Sequence, residues 1–338
     1  MTVRNDSRRG THEQLRTGDP GTEGSKHPGR LIWSITVTFN PERERFGTQI
    51  RLVQPQVDWS VVVDNGSAPE TLAWLRRLAA GDDARITLIE LGQNRGIAAA
   101  QNAGIAAASI AGADCVLLLD HDSLPDPAMV RQLSGALETL QAHGTRVAAV
   151  GPCYEDTRQN NPPPFIRVSG GRLHRLACPH ADTVNEVDYL IASGSLIPMP
   201  TLQAVGPMNE KLFIDYVDIE WGLRGRQLGY RSFGICAASM DHDLGETPIR
   251  VFGRSIPTHS PIRHYYLFRN AVWLYRHSTL PRGWKFVDGY RLLLRLGFYA
   301  LFARPRGQHL RAMLGGIVDG FAGRLGPASA RTRQRTSA

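Results

Sequence analysis

The sequence contains no run of about eighteen uncharged apolar residues, so no transmembrane helix is expected. Residues 1–29 lack the apolar core of a signal peptide and are rich in Gly, Arg, Ser and Thr; they read as a disordered lead-in, and export is not expected. Cysteine is scarce. The four present, Cys115, Cys153, Cys178 and Cys236, form no C-x-x-C pair, which argues against a disulfide framework or a zinc ribbon and for a reducing compartment. Cys178 and His180 could be imagined as ligands, but no second pair stands near them. No RNA-binding signature, zinc finger or basic heptad region accompanies the net charge of +8, so nucleic acid is not an expected partner. Nucleotide phosphates and an anionic membrane face remain, beside a plainly basic surface. The glycine-rich loop followed by Arg and Lys that a sugar nucleotidyltransferase carries after its first strand is also missing, and FNPERER stands in its place.

What is present is the make-up of a globular chain: 338 residues, 42% hydrophobic and 21% charged. Residues 31–39, LIWSITVTF, predict a buried parallel strand that stops at Asn40-Pro41, with a helix over 43–54. The cycle repeats as strand 59–63, the turn Asp64-Asn65-Gly66-Ser67 and a helix over 69–78 opened by proline. Strand 85–91 leads through Asn94-Arg95-Gly96 into an alanine-rich helix, and strand 115–119 ends at Asp120-His121-Asp122-Ser123 before a helix over 126–142 capped by Asp126. Such alternation implies an α/β fold with a parallel sheet covered on both faces, whose ligands bind beyond the carboxyl ends of the strands. The polar tetrads all fall there. After Val150 the pattern breaks into a loop, YEDTRQNNPPPF, and shorter strands near Ile166, over 172–177 and over 188–197. A helix over 218–228, a strand over 230–237, a loop carrying Asp241-His242-Asp243, and helices over 262–278, 284–303 and 308–323 complete the reading.

Transfer of a glycosyl group from a nucleotide sugar requires a diphosphate to leave, and a divalent cation held by hard oxygen ligands can stabilise that charge. Asp120 and Asp122 offer such ligands at a strand end, where residues i and i+2 face the same side. Carboxylates at a strand end are also often caps or solvated turns. The ends of VTFNP and VVVDNGS can contact a base and ribose, and NRGIAAAQN can bring backbone amides and Arg95 to a phosphate, although each is also good turn chemistry.

Taken in order, VTFNP, VVVDNGS, NRGIAAAQNAGI, LLLDHDSLP, YLIASGSLIP, LFIDYVDIEWGLR and HYYLFRNAVWLYR resemble the family 2 glycosyltransferases, and within them the bacterial rhamnosyltransferases of O-antigen and cell-wall polysaccharide assembly. The resemblance runs from about Ile32 to Tyr275. It implies a GT-A fold over residues 30–260, with a helical C-terminal extension over 261–325 and a disordered tail from 326. It also implies an inverting, metal-dependent transfer of L-rhamnose from dTDP-L-rhamnose to a hydroxyl of a glycan or lipid-linked glycan. In that scheme Phe39, Asn40, Asp64, Asn65, Asn94, Arg95, Gly96 and Asp120 contact the nucleotide sugar. Asp122, with His242, holds Mg²⁺ or Mn²⁺. His121 stands where related rhamnosyltransferases often carry Gln.

Inversion needs a base that takes the acceptor proton as its oxygen attacks the anomeric carbon. Asp218 is assigned to this role, Asp215 is its rival, and Glu220 could position the acceptor. Related enzymes often read Glu-Asp-x-Asp here, whereas this chain reads Val217-Asp218-Ile219-Glu220. Asp218 would serve equally as the N-cap of the following helix. Arg269 and Asn270 lie among aromatics of a packing helix, and the resemblance leaves open a contact from Arg263 or Arg269 to the diphosphate. The stretch GWKFVDGYRLLLRLGFYALFARPRG has the composition of an interfacial helix on an anionic membrane, or equally of a helix packed on the core or a second subunit. The expected location is the cytoplasm, including peripheral contact with the cytoplasmic face of the inner membrane. Within the family the alternative is another UDP-, GDP- or dTDP-sugar as donor, and a non-catalytic nucleotide-binding subunit of a polysaccharide assembly complex, with the carboxylates as caps only, is the rival of another class.

Overall fold

The computed structural model describes residues 29–81, 84–155, 165–241, 246–251, 254–330 and 332. Its first half is three strand–helix units and a fourth strand: β1 (Ile32–Thr38), α1 (Arg43–Val53), β2 (Trp59–Asp64), α2 (Pro69–Ala79), β3 (Ile86–Glu90), α3 (Ile97–Ile110) and β4 (Cys115–Asp120). They pair in parallel in the order β3-β2-β1-β4. Successive residues of a strand point to opposite faces, and both faces are buried here. Ile35, Val37, Val61, Val63, Val116 and Leu118 join one core cluster with α3, while Ile32, Leu117 and Leu119 join another with the helix that follows β4.

That helix is α4 (Met129–Ala142), reached through the short β5 (Leu124–Pro125). It begins three residues later than the sequence suggests, because the Asp126 carboxylate accepts the Ala128 N–H and closes a separate turn ahead of it. The second half extends the same sheet with β6 (Val147–Glu155), β9 (Val184–Val187), β10 (Leu196–Pro198) and β11 (Arg231–Asp241), while β7 (Phe165–Ser169) and β8 (Arg172–Leu176) form a separate hairpin. β10 runs antiparallel between β4 and β6. Of the single strand expected over 188–197, only Leu196 and Ile197 are strand, in β10; β9 ends at Val187, and residues 188–195 are a connection that turns through Ser193-Gly194-Ser195. In that turn Gly194 N–H donates to Leu118 O at 2.8 Å and Leu118 N–H donates to Ser195 O at 3.0 Å. The loop expected after residue 237 is also strand: β11 continues to Asp241, and β12 (Glu246–Val251) pairs with β13 (Arg254–Thr258).

After α5 (Met199–Val205) and α6 (Val217–Gln227) come α7 (Pro261–His277), α8 (Arg282–Phe302) and α9 (Arg306–Phe321). No helix among the described residues is long and apolar enough to cross a membrane. Order does not end at 326. Gly326 N–H donates to Lys211 O at 2.8 Å, and the buried Ala328 donates its N–H to the Tyr266 hydroxyl at 2.7 Å.

Two cysteines depart from expectation. Cys178 and Cys236 are joined by a disulfide across 58 residues of sequence, so Cys178 is no candidate ligand and cysteine usage no longer argues for a reducing compartment. The pairing is tertiary in origin: β9 lies antiparallel against β11, and Cys236 N–H donates to Thr183 O at 3.1 Å, which brings the β8–β9 connection alongside. Sequence spacing carries no trace of that adjacency.

Candidate active site

The loops after β1, β2 and β3 are stitched into one rim at the carboxyl edge of the sheet. Asn40, with φ of 47°, donates its N–H to Ser67 Oγ at 2.8 Å and accepts the Ala68 N–H on Oδ1 at 2.8 Å. Asp64 is wholly buried, and its Oδ2 accepts the N–H groups of Gly66 at 3.1 Å and Ser67 at 3.0 Å. Asn65 reaches the third loop, donating to Asn94 Oδ1 at 3.2 Å and accepting the Arg95 N–H at 2.8 Å, while Asn94 Oδ1 also accepts the Gly96 N–H at 3.0 Å. Much of the polar chemistry of these residues therefore shapes the rim, and Phe39, Asn40, Asn94 and Arg95 are the members exposed upon it. Gly66 is required by this join: at φ of 88° a Cβ would lie 2.5 Å from the Gln93 carbonyl carbon.

The Asp120–Asp122 turn is clamped from beneath. Gln49, fully buried in α1, donates Nε2 to Asp120 O at 2.5 Å and Ser123 O at 2.6 Å, and Arg45 Nε donates to Asp122 O at 2.7 Å. From the other side Ser193 Oγ accepts the Asp120 N–H at 3.0 Å and shares a hydrogen bond of 2.6 Å with Ser123 Oγ. Holding the main chain so firmly fixes the direction in which the two half-buried aspartates leave it. β11 adds a third carboxylate to this edge: Asp241 pairs with Leu124, and its Oδ1 is buried with no hydrogen-bond partner among the described residues. Hard oxygen donors plus an orphaned carboxylate oxygen fit a divalent cation. No group of three acidic, His or Cys side chains close enough to hold one unaided occurs among the described residues, so phosphate oxygens and water would supply the rest, as Mg²⁺ commonly requires. His242 lies outside the described residues.

A second part of the site is built on strained backbone: three of the four non-glycine residues with positive φ among the described residues fall between 213 and 216. Phe213, Asp215 and Tyr216 adopt φ of 68°, 64° and 66°, a region that costs a residue with a side chain about 1–3 kcal/mol each. Surrounding structure enforces it. Asn270 Nδ2 donates to the carbonyls of Leu212, Ile214 and Asp215 at 2.9, 2.8 and 3.0 Å, and Arg269 Nη2 donates to Leu212 O at 2.9 Å. The Tyr216 hydroxyl donates to Asp288 of α8 at 2.8 Å. The segment also touches the donor rim: Ile97 N–H donates to Phe213 O at 2.7 Å, and a Cβ on Gly96 would lie 2.5 Å from that same oxygen.

α6 follows directly, with Tyr216 as its N-cap residue, so Asp218 is not the cap but sits in the first turn. It is half-buried, and its carboxyl is pushed up to about 6, chiefly by burial and further by the charges of Asp120 and Asp215, against the Ile219 N–H that its Oδ1 accepts at 2.8 Å. Asp215, the rival base, is gripped by Arg263 Nε at 3.1 Å and Nη2 at 2.7 Å. Glu220 is held by Arg224 at 2.9 and 3.1 Å, and that arginine is itself fixed to Val205 O and Pro207 O; this leaves no support for an acceptor-positioning role. Arg263 and Arg269 are thus committed to protein partners rather than turned to a diphosphate.

Sequence reading misses three residues that hold the site, Gln49, Arg45 and Ser193, and names Asn270 only as part of a packing helix. Asn270 alone left a signal, as half of an adjacent Arg-Asn pair in an otherwise aromatic, buried helical stretch.

The profile of Glycosyl transferase family 2 matches residues 52–190. The dTDP-rhamnosyl transferase RfbF of Shigella flexneri is 33% identical over 251 residues, which cover 74% of this chain and 81% of that protein. Among solved structures, GalNAc-T7 with UDP, GalNAc and Mn²⁺ superimposes with a TM-score of 0.54 at 12% identity over 72% of this chain and 47% of that one. S. aureus TarS gives 0.53 at 13% identity over 90% of this chain and 50% of that one. The chain thus spans about half the length of each of these two structures. TarS 1–349 in complex with UDP-GlcNAc gives 0.51 at 15% identity over 86% and 81%. At such identities the likeness is one of fold, and the fold is GT-A with a helical C-terminal region.

Proposed function

This chain belongs to glycosyl transferase family 2 and is a glycosyltransferase; from that premise we propose that it transfers L-rhamnose from dTDP-L-rhamnose, with inversion, to a hydroxyl of a lipid-linked glycan at the cytoplasmic face of the inner membrane. The observation that carries the mechanism is the pairing of two carboxylates with different fates. Asp215 is gripped by Arg263, while Asp218, two residues beyond the strained segment in the first turn of α6, has its carboxyl raised by burial and by the charge of Asp120. A carboxylate with such a pKa holds the acceptor proton well, because proton transfer is most effective when the base titrates near the working pH.

Phe39, Asn40, Asp64 and Asn65 form the base and ribose side of the donor site, and Asn94, Arg95 and Gly96 its phosphate side. Asp120 contacts ribose and sugar. Asp122, joined by Asp120 and by His242 or Asp241, holds Mg²⁺ or Mn²⁺, which when bound supplies positive charge to the departing diphosphate. Asp218 accepts the acceptor proton from the opposite side of the sugar ring. The donor assignment is supported by the identity to RfbF, which covers most of both chains.

Donor consumption tests this reading. Purified protein is supplied with dTDP-L-rhamnose or with UDP- and GDP-sugars, with Mg²⁺ or Mn²⁺ or a chelator, and release of nucleoside diphosphate is followed. Consumption of dTDP-L-rhamnose alone is expected, falling about a hundredfold or more with the chelator and in Asp122→Ala, since several kcal/mol of charge stabilisation are removed. Preference for a UDP- or GDP-sugar would overturn the donor, and undiminished activity in chelator would overturn the cation.

A further inference from the structure

α8 has two faces of opposite use. Inward, Asp288 accepts hydrogen bonds from the hydroxyls of Tyr216 and Tyr275 at 2.8 and 2.6 Å, and Trp284, Leu292 and Tyr299 are buried. Outward, Phe286, Tyr290, Leu293, Leu294 and Leu301 are 74%, 61%, 68%, 56% and 62% exposed. Their spacing follows the helical repeat, so they form one continuous apolar stripe about four turns long. α9 repeats the pattern with Leu310, Leu314 and Val318 at four-residue intervals, all exposed. Contiguous apolar surface of this kind marks an interaction site rather than scattered surface hydrophobes.

Charge selects the occupant. Between residues 282 and 321 every exposed charged side chain is an arginine: Arg282, Arg304, Arg306 and Arg311. The two acids of the stretch are spoken for, Asp288 by the tyrosines and Asp319 by Tyr265 and Arg324. A second copy meeting this face about a two-fold axis would bring arginines against arginines. A bilayer with anionic headgroups satisfies both components, taking apolar side chains into the acyl boundary and arginines at the phosphate level.

We propose that the outer face of α8, continued by α9, is a membrane-docking surface for anionic lipid. Docking there would place the inner face of α8, and with it the Tyr216–Asp218 segment, one helix diameter of about 10 Å from the lipid boundary. A glycan anchored in the bilayer would meet the base side of the site without leaving the surface. The inference rests on exposure and charge, and stands apart from the donor assignment.

The test uses the full chain without nucleotide sugar, co-sedimented with vesicles of phosphatidylethanolamine and phosphatidylglycerol or of phosphatidylcholine alone. Wild type is expected to partition at least about tenfold more strongly onto the anionic vesicles, and to be released by high salt. Phe286→Glu with Leu293→Glu should lose about tenfold or more of that partition, and Arg304→Glu with Arg306→Glu a similar factor, with unfolding temperatures kept because all four side chains are exposed. The proposal is overturned if wild type sediments no better with anionic than with neutral vesicles, or if both variants bind as wild type does. It is equally overturned if wild type is a dimer that Leu293→Glu splits while vesicles capture neither.

Discussion

Asp218→Asn is expected to lower kcat by at least about two to four orders of magnitude, the usual worth of a positioned base, while leaving the donor site intact. The pH dependence follows from the same carboxyl. Its folded value of about 6 lies above the ordinary 3.8, so burial favours the protonated form, and the base becomes competent only as pH rises through about 6. The wild-type kcat/KM is therefore expected to fall about tenfold per pH unit below that point and to level off above it. Linkage adds a second signature. A carboxyl raised on folding contributes stability below its unfolded value of 3.8 and loses it as pH climbs to about 6. Above that pH the native state carries a half-buried charge that Asn removes, so the inactive Asp218→Asn protein should be the more stable one at pH 8. A gain of about 1 kcal/mol is expected after allowance for solvent screening. Stability that rises as activity vanishes is the mark of a residue retained for chemistry. A pH profile flat across 5–7, or a variant that keeps a tenth or more of the wild-type kcat, would remove Asp218 from the role.

Asn270→Leu is expected to act on both stability and rate. One amide donates to three carbonyls at the strained turn; Leu fills nearly the same volume but strips the Ile214 and Asp215 carbonyls of that donor and Arg269 Nε of its acceptor, while Leu212 O keeps Arg269 Nη2. A buried polar group without its partner costs about 1–3 kcal/mol, and two carbonyls and one N–H that can partly relax together suggest a loss of about 3–5 kcal/mol, readable as a fall in unfolding temperature. The backbone conformation of Asp215 and Tyr216 depends on that amide, so Asp218 should shift within a variant that still folds. Misplacement by about 1 Å costs on the order of a hundredfold in rate. At a temperature where the variant is fully folded, kcat should therefore drop while donor affinity stays close to wild type, because the donor rim is held by Asn40, Asn65 and Asn94 on other loops. An unchanged kcat in folded Asn270→Leu protein would show that the strained segment does not need its clamp for catalysis.

The first half of the chain was legible because its signals are local. Buried parallel strands such as VVV and CVLLL carry continuous β-branched and aliphatic runs, and Asn40-Pro41 and Asp64-Asn65-Gly66-Ser67 end them with residues that favour turns. The positions of Asp120, Asp122 and Asp218 at element ends could be read for the same reason. The second half obeys contacts that no window contains. β10 is three residues long and is strand only because β4 and β6 flank it. The β12–β13 hairpin lies where the sequence predicts a loop, and the Cys178–Cys236 bond follows from β9 lying on β11. The clamps were hidden too. Gln49 looks like any polar residue of an amphipathic helix, yet it is fully buried beneath the Asp120 turn, and nothing in the sequence links positions 49 and 120.

Direct displacement with Asp218 as base makes one commitment that the fold leaves untouched, the configuration of the new glycosidic bond. Nuclear magnetic resonance of the glycoside formed by wild-type protein from dTDP-L-rhamnose, compared with the donor, reads it directly. The account predicts an inverted anomeric centre; a retained one would contradict it, because a single displacement from the face opposite the diphosphate cannot leave the configuration unchanged.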